Sequence, residues 1–209
     1  MEKFTKLTAV AAPVMRHNVD TDVIITIDRL MALPRAEMGD YAFEVWRFLP
    51  DGSENPEFEL NRPGFRDAEI LIAGRNFGCG SSREMAVWAL AGMGFRCVIA
   101  PGFGDIFANN CVKNGLLAIV LAEDIVERLA AEAEGAAGAK SFTVDLKTGT
   151  ITTPGGDTVP FEIAAGDRET LLSGLDEIGK TLLLGDEIEA FQTRDRAQRP
   201  WIYRASSAS

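Results

Sequence analysis

The residues best suited to chemistry lie in one glycine-rich segment, from Gly74 to Glu84. Ser81 and Glu84 have the spacing of a capping box, which predicts that a helix begins there with its first backbone N–H groups pointing outward. Those N–H groups and the helix dipole favour a bound anion. Arg83 can hold a carboxylate through two parallel hydrogen bonds, and Arg75 can add a second positive charge. The segment is therefore predicted to bind an anion.

The same segment lacks the motifs of several common sites. A phosphate-binding P-loop is excluded because no Gly-Lys-Ser/Thr follows the glycines. The run Gly78-Cys79-Gly80 fails the third glycine of a dinucleotide fingerprint, because Arg83 stands there. A hydrolase serine is disfavoured because Gly-x-Ser-x-Gly is absent and the one histidine, His17, is distant in sequence. A capping box and a glycine turn with a purely structural role remain the alternative.

Strands and helices alternate around this segment. Apolar runs predict buried strands, and helical spacing with the Asn114-Gly115 end signal predicts helices between them. The predicted elements are a strand at 68–73, a helix at 82–93, a strand at 97–100, a helix at 103–113 and a strand at 116–121. This order predicts an α/β fold with a parallel βαβαβ unit. The anion-binding segment then lies at the carboxyl end of a parallel strand, where open α/β sheets bind ligands.

The remaining elements are less regular. A β-prone stretch at 4–14 precedes the polar turn His17 to Asp22, and residues 26–66 are predicted to form long loops around one helix. Further elements are predicted as follows: that helix at 36–48, a helix at 123–134, two or three short strands within 141–162, and helices at 167–175 and 185–195. One domain is expected over 1–204, with a disordered tail at 205–209.

Composition and charge limit the function classes. The chain has 209 residues, of which 46% are hydrophobic and 25% charged, and its net charge of −10 disfavours nucleic acid and anionic membranes. An apolar run long enough to span a bilayer and the apolar core of a signal peptide are both absent from the sequence. Cys79, Cys97 and Cys111 show no CxxC spacing, which indicates a reducing, cytoplasmic setting and no zinc site.

Four ordered segments resemble a known family. Ala73 to Glu84 is similar, almost letter for letter, to the active-site turn of the isopropylmalate dehydratase small-subunit family. Asn18 to Asp22, Phe103 to Leu117 and Asp176 to Gly179 agree with that family in order and spacing. The resemblance covers nearly the whole chain.

The resemblance implies a fold, a partner and a reaction. The fold is the swivelling β/β/α domain of aconitase, with extra short strands beside the parallel unit. The partner is a large subunit that carries a 4Fe–4S cluster with its cysteine ligands. This chain then binds no metal, and Cys79 has a structural role. The implied reaction interconverts 2-isopropylmalate and 3-isopropylmalate, a small dicarboxylic hydroxy acid substrate, in leucine biosynthesis.

The resemblance also assigns roles to residues. Ser81 is the base that removes a proton beside a carboxylate, Arg83 binds the substrate carboxylate, and Ser82 is a neighbouring donor. Of the acidic turn, Asp20 is expected nearer the site than Asp22, although either can simply brace the turn. The residues expected to read the substrate's side group, or else to belong to the core, are Ile27, Leu30, Met31 and Leu33.

Two positions depart from the family pattern. The family's turn usually continues Ser-Ser-Arg-Glu-His-Ala, whereas this chain has Met85, which cannot titrate or donate as histidine does. Ala108 stands where an aromatic residue is frequent. The alternatives are therefore a related diacid hydro-lyase, acting on citraconate/methylmalate or homoaconitate, a noncatalytic paralogue that kept the fold, and a freestanding diacid-binding protein.

Overall fold

The computed structural model describes residues 1–80 and 82–203 and divides the chain into two compact units, Met1–Gly174 and Leu175–Ser209. The strands of the first unit are β1 Lys6–Ala9, β2 Ala11–Val14, β3 Ile70–Ala73, β4 Cys97–Ala100, β5 Leu117–Val120, β6 Phe142–Asp145, β7 Thr150–Thr152 and β8 Thr158–Pro160. Its α-helices are α1 Thr21–Ile24, α2 Ile27–Ala32, α3 Glu44–Arg47, α4 Glu84–Gly92, α5 Asp105–Lys113, α6 Glu123–Ala136 and α7 Ala165–Ser173. Short 3-10 helices span Arg35–Tyr41 and Glu59–Asn61. The expectation of one domain over 1–204 stays a prediction, and the predicted tail at 205–209 lies outside the described residues.

The parallel sheet confirms the predicted βαβαβ unit and adds a strand to it. Its order is β2-β3-β4-β5, with all pairs parallel and with α4 and α5 as the crossover helices. Strand β2 contains Pro13, which has no N–H to donate to a sheet ladder. A proline is tolerated there because β2 is an edge strand, with only β3 beside it.

An antiparallel sheet completes the β/β/α arrangement that the resemblance implied. Its order is β1-β6-β7-β8. One face of the parallel sheet, with Ile70, Ile72 and Ile99, shares a core with this second sheet and with α6. The opposite face, with Leu71 and Val98, packs against α4 and α5. Buried apolar side chains on both faces explain why β3 and β4 are continuous apolar runs in the sequence.

The helix predicted at 36–48 is the clearest error in the prediction of secondary structure. A 3-10 helix at Arg35–Tyr41 and the short α3 replace it, and Phe43 between them has a left-handed backbone with φ 57°. Packing explains the break. The Phe43 ring is fully buried and stacks on Trp46 at 5.9 Å between ring centroids. Gly39 lies so close to α4 that a Cβ there would be 2.2 Å from the Gly92 carbonyl carbon.

A salt bridge joins the residue after the 3-10 helix Glu59–Asn61 to α6. The Arg62 guanidinium donates to both carboxylate oxygens of Glu134, at 2.7 and 2.6 Å. These hydrogen bonds hold the pKa of Glu134 below its ordinary value. Both side chains are partly exposed, so solvent screens the pair and its contribution to stability is below about 1 kcal/mol.

This salt bridge predicts a pH-dependent stability difference. A carboxyl group with a lowered pKa in the folded state stabilises the fold above its unfolded pKa and stops doing so as pH falls through the folded pKa. We therefore expect Glu134→Gln to lower the melting temperature slightly at pH 7, and the difference from the wild type to shrink as pH falls through the lowered pKa of Glu134. Thermal denaturation across this pH range measures both. Glu127→Gln, on an exposed position of the same helix, is the control. An equal difference at neutral and at acidic pH would contradict the assignment.

The second unit consists of helices α8, Glu177–Leu182, and α9, Gly185–Gln198, followed by a 3-10 helix at Pro200–Tyr203. Asp176 caps α8 by accepting a hydrogen bond from the Gly179 N–H at 2.6 Å, which accounts for the Asp176 to Gly179 motif. The Tyr203 hydroxyl donates to the buried Asp195 at 2.7 Å and, with Arg199, lowers the pKa of that carboxyl. Among the described residues of both units, no helix is long and apolar enough to cross a membrane.

Candidate active site

Three loops meet at the carboxyl ends of β2, β3 and β4. The turn after β3 lies between the other two and is bonded to both through its backbone. These hydrogen bonds are Asn18 N to Arg75 O at 2.9 Å, Gly78 N to Val19 O at 2.7 Å, Thr21 N to Cys79 O at 3.0 Å, Phe77 N to Gly102 O at 3.0 Å and Gly104 N to Phe77 O at 2.9 Å. Main-chain hydrogen bonds thus hold the turn on both sides. The turn lies at the carboxyl end of a parallel strand, where the sequence predicted it.

Two glycines allow the turn to lie this close to its neighbours. Gly78 has φ +69°, and a Cβ there would lie 2.2 Å from the Phe107 ring of α5. A Cβ on Gly104 would lie 2.5 Å from the Gly78 carbonyl oxygen. Side chains at either position would push the turn away from α5.

Two asparagines also shape the loops, although the sequence analysis assigned neither of them a role. Asn18 and Asn76 both have a left-handed backbone, with φ 54° and 57°. Their side chains are joined by a hydrogen bond from Asn76 Nδ2 to Asn18 Oδ1 at 2.9 Å. Asparagine tolerates this conformation better than most residues. Asparagines in predicted turns are therefore the sequence signal that could have identified this pair.

Helix α4 begins later than predicted. Its first residue is Glu84 and its N-cap is Arg83, so the predicted start at residue 82 is wrong by two residues. The predicted Ser81–Glu84 capping box includes Ser81, which lies outside the described residues. A tertiary contact explains the difference, because the Glu84 carboxylate accepts a hydrogen bond from Asn114 Nδ2 at 2.8 Å. The N-terminus of α4 still follows the turn directly, so its dipole favours an anion there, as the sequence predicted.

Arg83 forms an ion pair with Asp22. Arg83 Nη1 donates to Asp22 Oδ1, and the Arg83 side chain is 15% exposed whereas that of Asp22 is 54% exposed. Sequence reasoning favoured Asp20 over Asp22 as the acidic residue nearer the site. The structure makes Asp22 the direct partner of Arg83, with four other guanidinium N–H donors left to contact a second carboxylate.

Asp20 caps a helix beside the turn. Its Oδ1 accepts hydrogen bonds from the N–H groups of Asp22, at 2.8 Å, and Val23, at 3.0 Å, and so begins α1. Asp20 also pairs with Cys79 in an isolated parallel bridge, and a Cβ on Gly80 would lie 3.2 Å from the Asp20 Cβ. Asp20 is therefore adjacent to the turn, and one of its carboxylate oxygens is engaged by the backbone.

The other predicted site residues are distributed around the turn. Ser81, the predicted base, lies outside the described residues. Ser82 is exposed beside Arg83. Arg75 is exposed at the start of the turn, where its backbone N–H donates to His17 Nδ1 at 3.2 Å.

The four residues expected to read a side group separate into two pairs on and after α2. Ile27 and Met31 are 55% and 87% exposed and lie four residues apart, on one side of the helix. Leu30 and Leu33 are partly buried and pack against the core. The helix is held through Glu44, which accepts hydrogen bonds from the Thr26 hydroxyl at 2.7 Å and from Arg29 Nε at 2.8 Å.

Met85, which departs from the family pattern, does not point away from the core. Met85 is half-buried and packs against the core on the α4 side of the parallel sheet. A cavity of about 590 Å³ lies beside α6 and contains none of the predicted site residues. The predicted site residues that the structure describes lie on and around the turn, outside this cavity.

The thiols are poorly placed to bind metal. Burial raises the pKa of the Cys97 and Cys111 thiols, and Cys79 is partly buried. Within 1–80 and 82–203, no group of three or more His, Cys, Asp or Glu side chains could hold a metal ion.

The β/β/α fold, with its site at the carboxyl end of a parallel sheet, is that of the aconitase-like domains. The family model of the aconitase C-terminal domain matches residues 1–124. A model described as LeuD_N matches residues 127–165, and the model of the C-terminal domain of the 3-isopropylmalate dehydratase small subunit matches residues 177–205.

Relatives narrow this class. The 3-isopropylmalate dehydratase small subunit of Rhodospirillum centenum is 52% identical over 201 residues, covering 96% of this chain and 98% of the relative. The small subunit of the same name from Neisseria meningitidis is 50% identical over 212 residues, covering 97% and 99%. This chain belongs to the 3-isopropylmalate dehydratase small-subunit family. A crystal structure of 3-isopropylmalate dehydratase from Methanocaldococcus jannaschii matches the fold, with TM-score 0.63, 23% identity and coverage of 91% and 99%.

The pair of Asp22 and Arg83 leads to a prediction about substrate affinity. Asp22→Asn removes the charge that holds the guanidinium, so we expect KM of the two-subunit enzyme to rise about 5-fold, with a smaller change in kcat. Steady-state kinetics of the wild type and the variant measure this. Asp67→Asn, an exposed aspartate before β3, is the control. An unchanged or lower KM in Asp22→Asn would show that the aspartate does not hold Arg83 ready for substrate.

Proposed function

We propose that this chain is the small subunit of a two-subunit hydro-lyase that interconverts 2-isopropylmalate and 3-isopropylmalate by dehydration and rehydration in leucine biosynthesis. The observation that carries the proposal is the identity of about half of the residues over nearly the full length of both chains. The ion-paired Arg83 at the N-terminus of α4 supports it, because a dicarboxylic substrate needs a cationic fork beside the reacting carbon.

The reaction requires removal of a proton beside a carboxylate, departure of a hydroxyl group, and return of water to the other carbon. A 4Fe–4S cluster on the large subunit would act as Lewis acid towards the leaving hydroxyl. The weak acidity of the carbon-bound proton demands a strong base and stabilisation of the charge that develops. The thiols of the described residues supply no ligand set for the cluster, which supports its location on the partner.

The residues of this chain take the following roles in the proposal. Ser81 accepts the proton as an alkoxide, which is feasible only beside N–H dipoles and a cation in a site closed to water. Arg83 binds one substrate carboxylate while Asp22 holds the guanidinium. Ser82 donates a hydrogen bond, and Arg75 adds positive charge at the other end of the turn. Asp20, which is already a helix cap, acts near the turn and keeps α1 in place.

The side group of the substrate contacts α2. Ile27 and Met31 are the exposed apolar side chains available to an isopropyl group. Leu30 and Leu33 support them from the core side. An apolar contact of this kind discriminates among diacids by the size of the side group.

In the proposal, the large subunit completes the site and also covers exposed apolar side chains of this chain. The second unit exposes several large apolar side chains, namely Ile178, Leu182, Leu183, Phe191, Trp201 and Ile202. We assign this surface to the partner. The spacing of the cysteines supports a cytoplasmic location, and the family resemblance supports one swivelling domain over 1–204.

The test is reconstitution. The chain is coexpressed with the large subunit under anaerobic conditions, and the purified complex is assayed with 2-isopropylmalate, citraconate and homoaconitate. Turnover of 2-isopropylmalate in preference to the other diacids is the expected result. Preference for another diacid favours a related hydro-lyase. A complex with an intact cluster but no turnover of any diacid favours a noncatalytic paralogue, and tight diacid binding by the isolated chain favours a freestanding binding protein.

A further inference from the structure

Asn114 is the centre of a hydrogen-bond network behind the candidate site. It is the C-cap of α5 and is partly buried. Its side-chain oxygen accepts from Trp88 Nε1 at 2.9 Å and from Arg35 Nη2 at 3.1 Å. Its side-chain nitrogen donates to Glu84 Oε1 at 2.8 Å and to the Asn110 carbonyl oxygen at 2.9 Å. Both donors and both lone pairs of the amide are thereby used.

Two of these bonds reach the same side of α4. Glu84 is the first residue of that helix and Trp88 is one turn further on. The guanidinium of Arg35 also lies over the Trp88 ring, 4.7 Å from its centroid, and closes the network from the 3-10 helix at Arg35–Tyr41. Asn114 therefore joins the beginning of α4 to the end of α5 and to a third element.

Among the described residues, no side chain caps the N-terminus of α4. Its N-cap, Arg83, makes no capping bond from its side chain, because a guanidinium has only donors and cannot accept from a backbone N–H. A helix without an N-cap bond frays at its first turn, and Arg83 would move with it. The bond between Glu84 and Asn114 restrains the residue next to Arg83.

We propose that Asn114 is a positioning residue that acts through Glu84 to hold Arg83 at the site. This inference rests on the proposed function. Asn114 touches neither substrate nor the reacting atoms. It sets where α4 begins, and so fixes the backbone from which the Arg83 fork reaches a carboxylate.

In the hydrogen bond between Asn114 and Glu84, the donor and the acceptor can be exchanged by mutation. Asn114→Asp replaces the donor that faces Glu84 with a carboxylate, so two negative charges meet and α4 is pushed away from α5. Glu84→Gln keeps an oxygen that accepts from Asn114 and removes only the charge. In the double variant, the glutamine amide introduced on α4 can donate to the new carboxylate, while Trp88 and Arg35 still have an acceptor. The Asn110 carbonyl keeps its bond from the backbone N–H of residue 114 at 3.1 Å.

The experiment measures KM and kcat of the two-subunit enzyme with 2-isopropylmalate for the two single variants and the double variant. We expect Asn114→Asp to raise KM about 10-fold with a smaller loss of kcat, and Glu84→Gln to raise it about 2-fold. The double variant should recover most of the affinity that Asn114→Asp loses. Asn109→Asp makes the same change at an exposed position of α5 and should leave both constants unchanged. The proposal is overturned by an unchanged KM in Asn114→Asp, or by a double variant no better than that single one.

A second readout does not depend on activity. The nitrogen chemical shift of the Arg83 Nε–H in the isolated chain, identified by its loss in Arg83→Lys, reports on the pair with Asp22. Asn114→Asp should shift or broaden this signal, and the double variant should restore it. A signal that ignores Asn114→Asp overturns the positioning role. If the wild-type complex dehydrates no diacid, the proposed function fails, and this signal alone decides whether Asn114 positions Arg83.

Discussion

Replacing Ser81 with alanine is expected to lower kcat of the two-subunit enzyme about 1,000-fold while KM changes little, because general-base catalysis contributes about 100- to 10,000-fold. The hydroxyl is needed when the proton leaves carbon, whereas binding of the ground-state diacid depends mainly on arginine. A loss confined to kcat is the signature of an interaction made in the transition state. Steady-state kinetics in both directions, together with the rate of exchange of the substrate's carbon-bound hydrogen with solvent, measure the effect.

The neighbouring serine supplies the control for this experiment. Ser82→Ala removes a hydroxyl from the next position in the same turn, and its expected loss is about 10-fold, as for one neutral hydrogen bond. Melting temperatures and cluster absorbance of both complexes must match the wild type. Equal losses for Ser81→Ala and Ser82→Ala would argue against Ser81 as the base, and retained hydrogen exchange in Ser81→Ala would reject it.

Replacing Arg83 with lysine is expected to lower kcat/KM about 100-fold, equivalent to about 2–3 kcal/mol of lost charge-assisted hydrogen bonding. Lysine keeps the charge but cannot bind Asp22 and a substrate carboxylate with a planar fork. Most of the loss should appear in KM, since the carboxylate is bound in both the ground state and the transition state. Kinetics with 2-isopropylmalate and with the unsaturated intermediate separate binding of the substrate from binding of the intermediate.

A matched change elsewhere tests whether the fork itself is responsible. Arg96→Lys alters an arginine that pairs with Glu2 at 2.7 Å, away from the turn, and should leave kcat/KM unchanged. A double variant, Asp22→Asn with Arg83→Lys, should lose less than the product of the two single losses, because the two side chains act as one unit. Full additivity, or a loss below about 3-fold for Arg83→Lys, would contradict the assigned role.

The parallel sheet was predictable because burial on both faces leaves continuous apolar runs such as Ile70 to Ala73. The break at Phe43 was not, because the helical spacing around 36–48 is overridden by contacts with Ile24 and Gly92, which are distant in sequence. Strand pairing across long separations was also invisible. Strand β1 pairs with β6 from the far end of the first unit, and a local pattern contains no register for such a pair.

The sequence by itself determined which residues lie on the turn, because glycines, serines and arginine occur together after an apolar strand and before a helical pattern. It also determined the family, through four motifs in order. Only the tertiary structure decided that Asp22, rather than Asp20, holds Arg83, and that α4 begins at Glu84. The physical reason is that side-chain partners are chosen by distance in space. The Glu84 carboxylate, for which the sequence predicted a local capping role, binds Asn114 instead, 30 residues further along the chain.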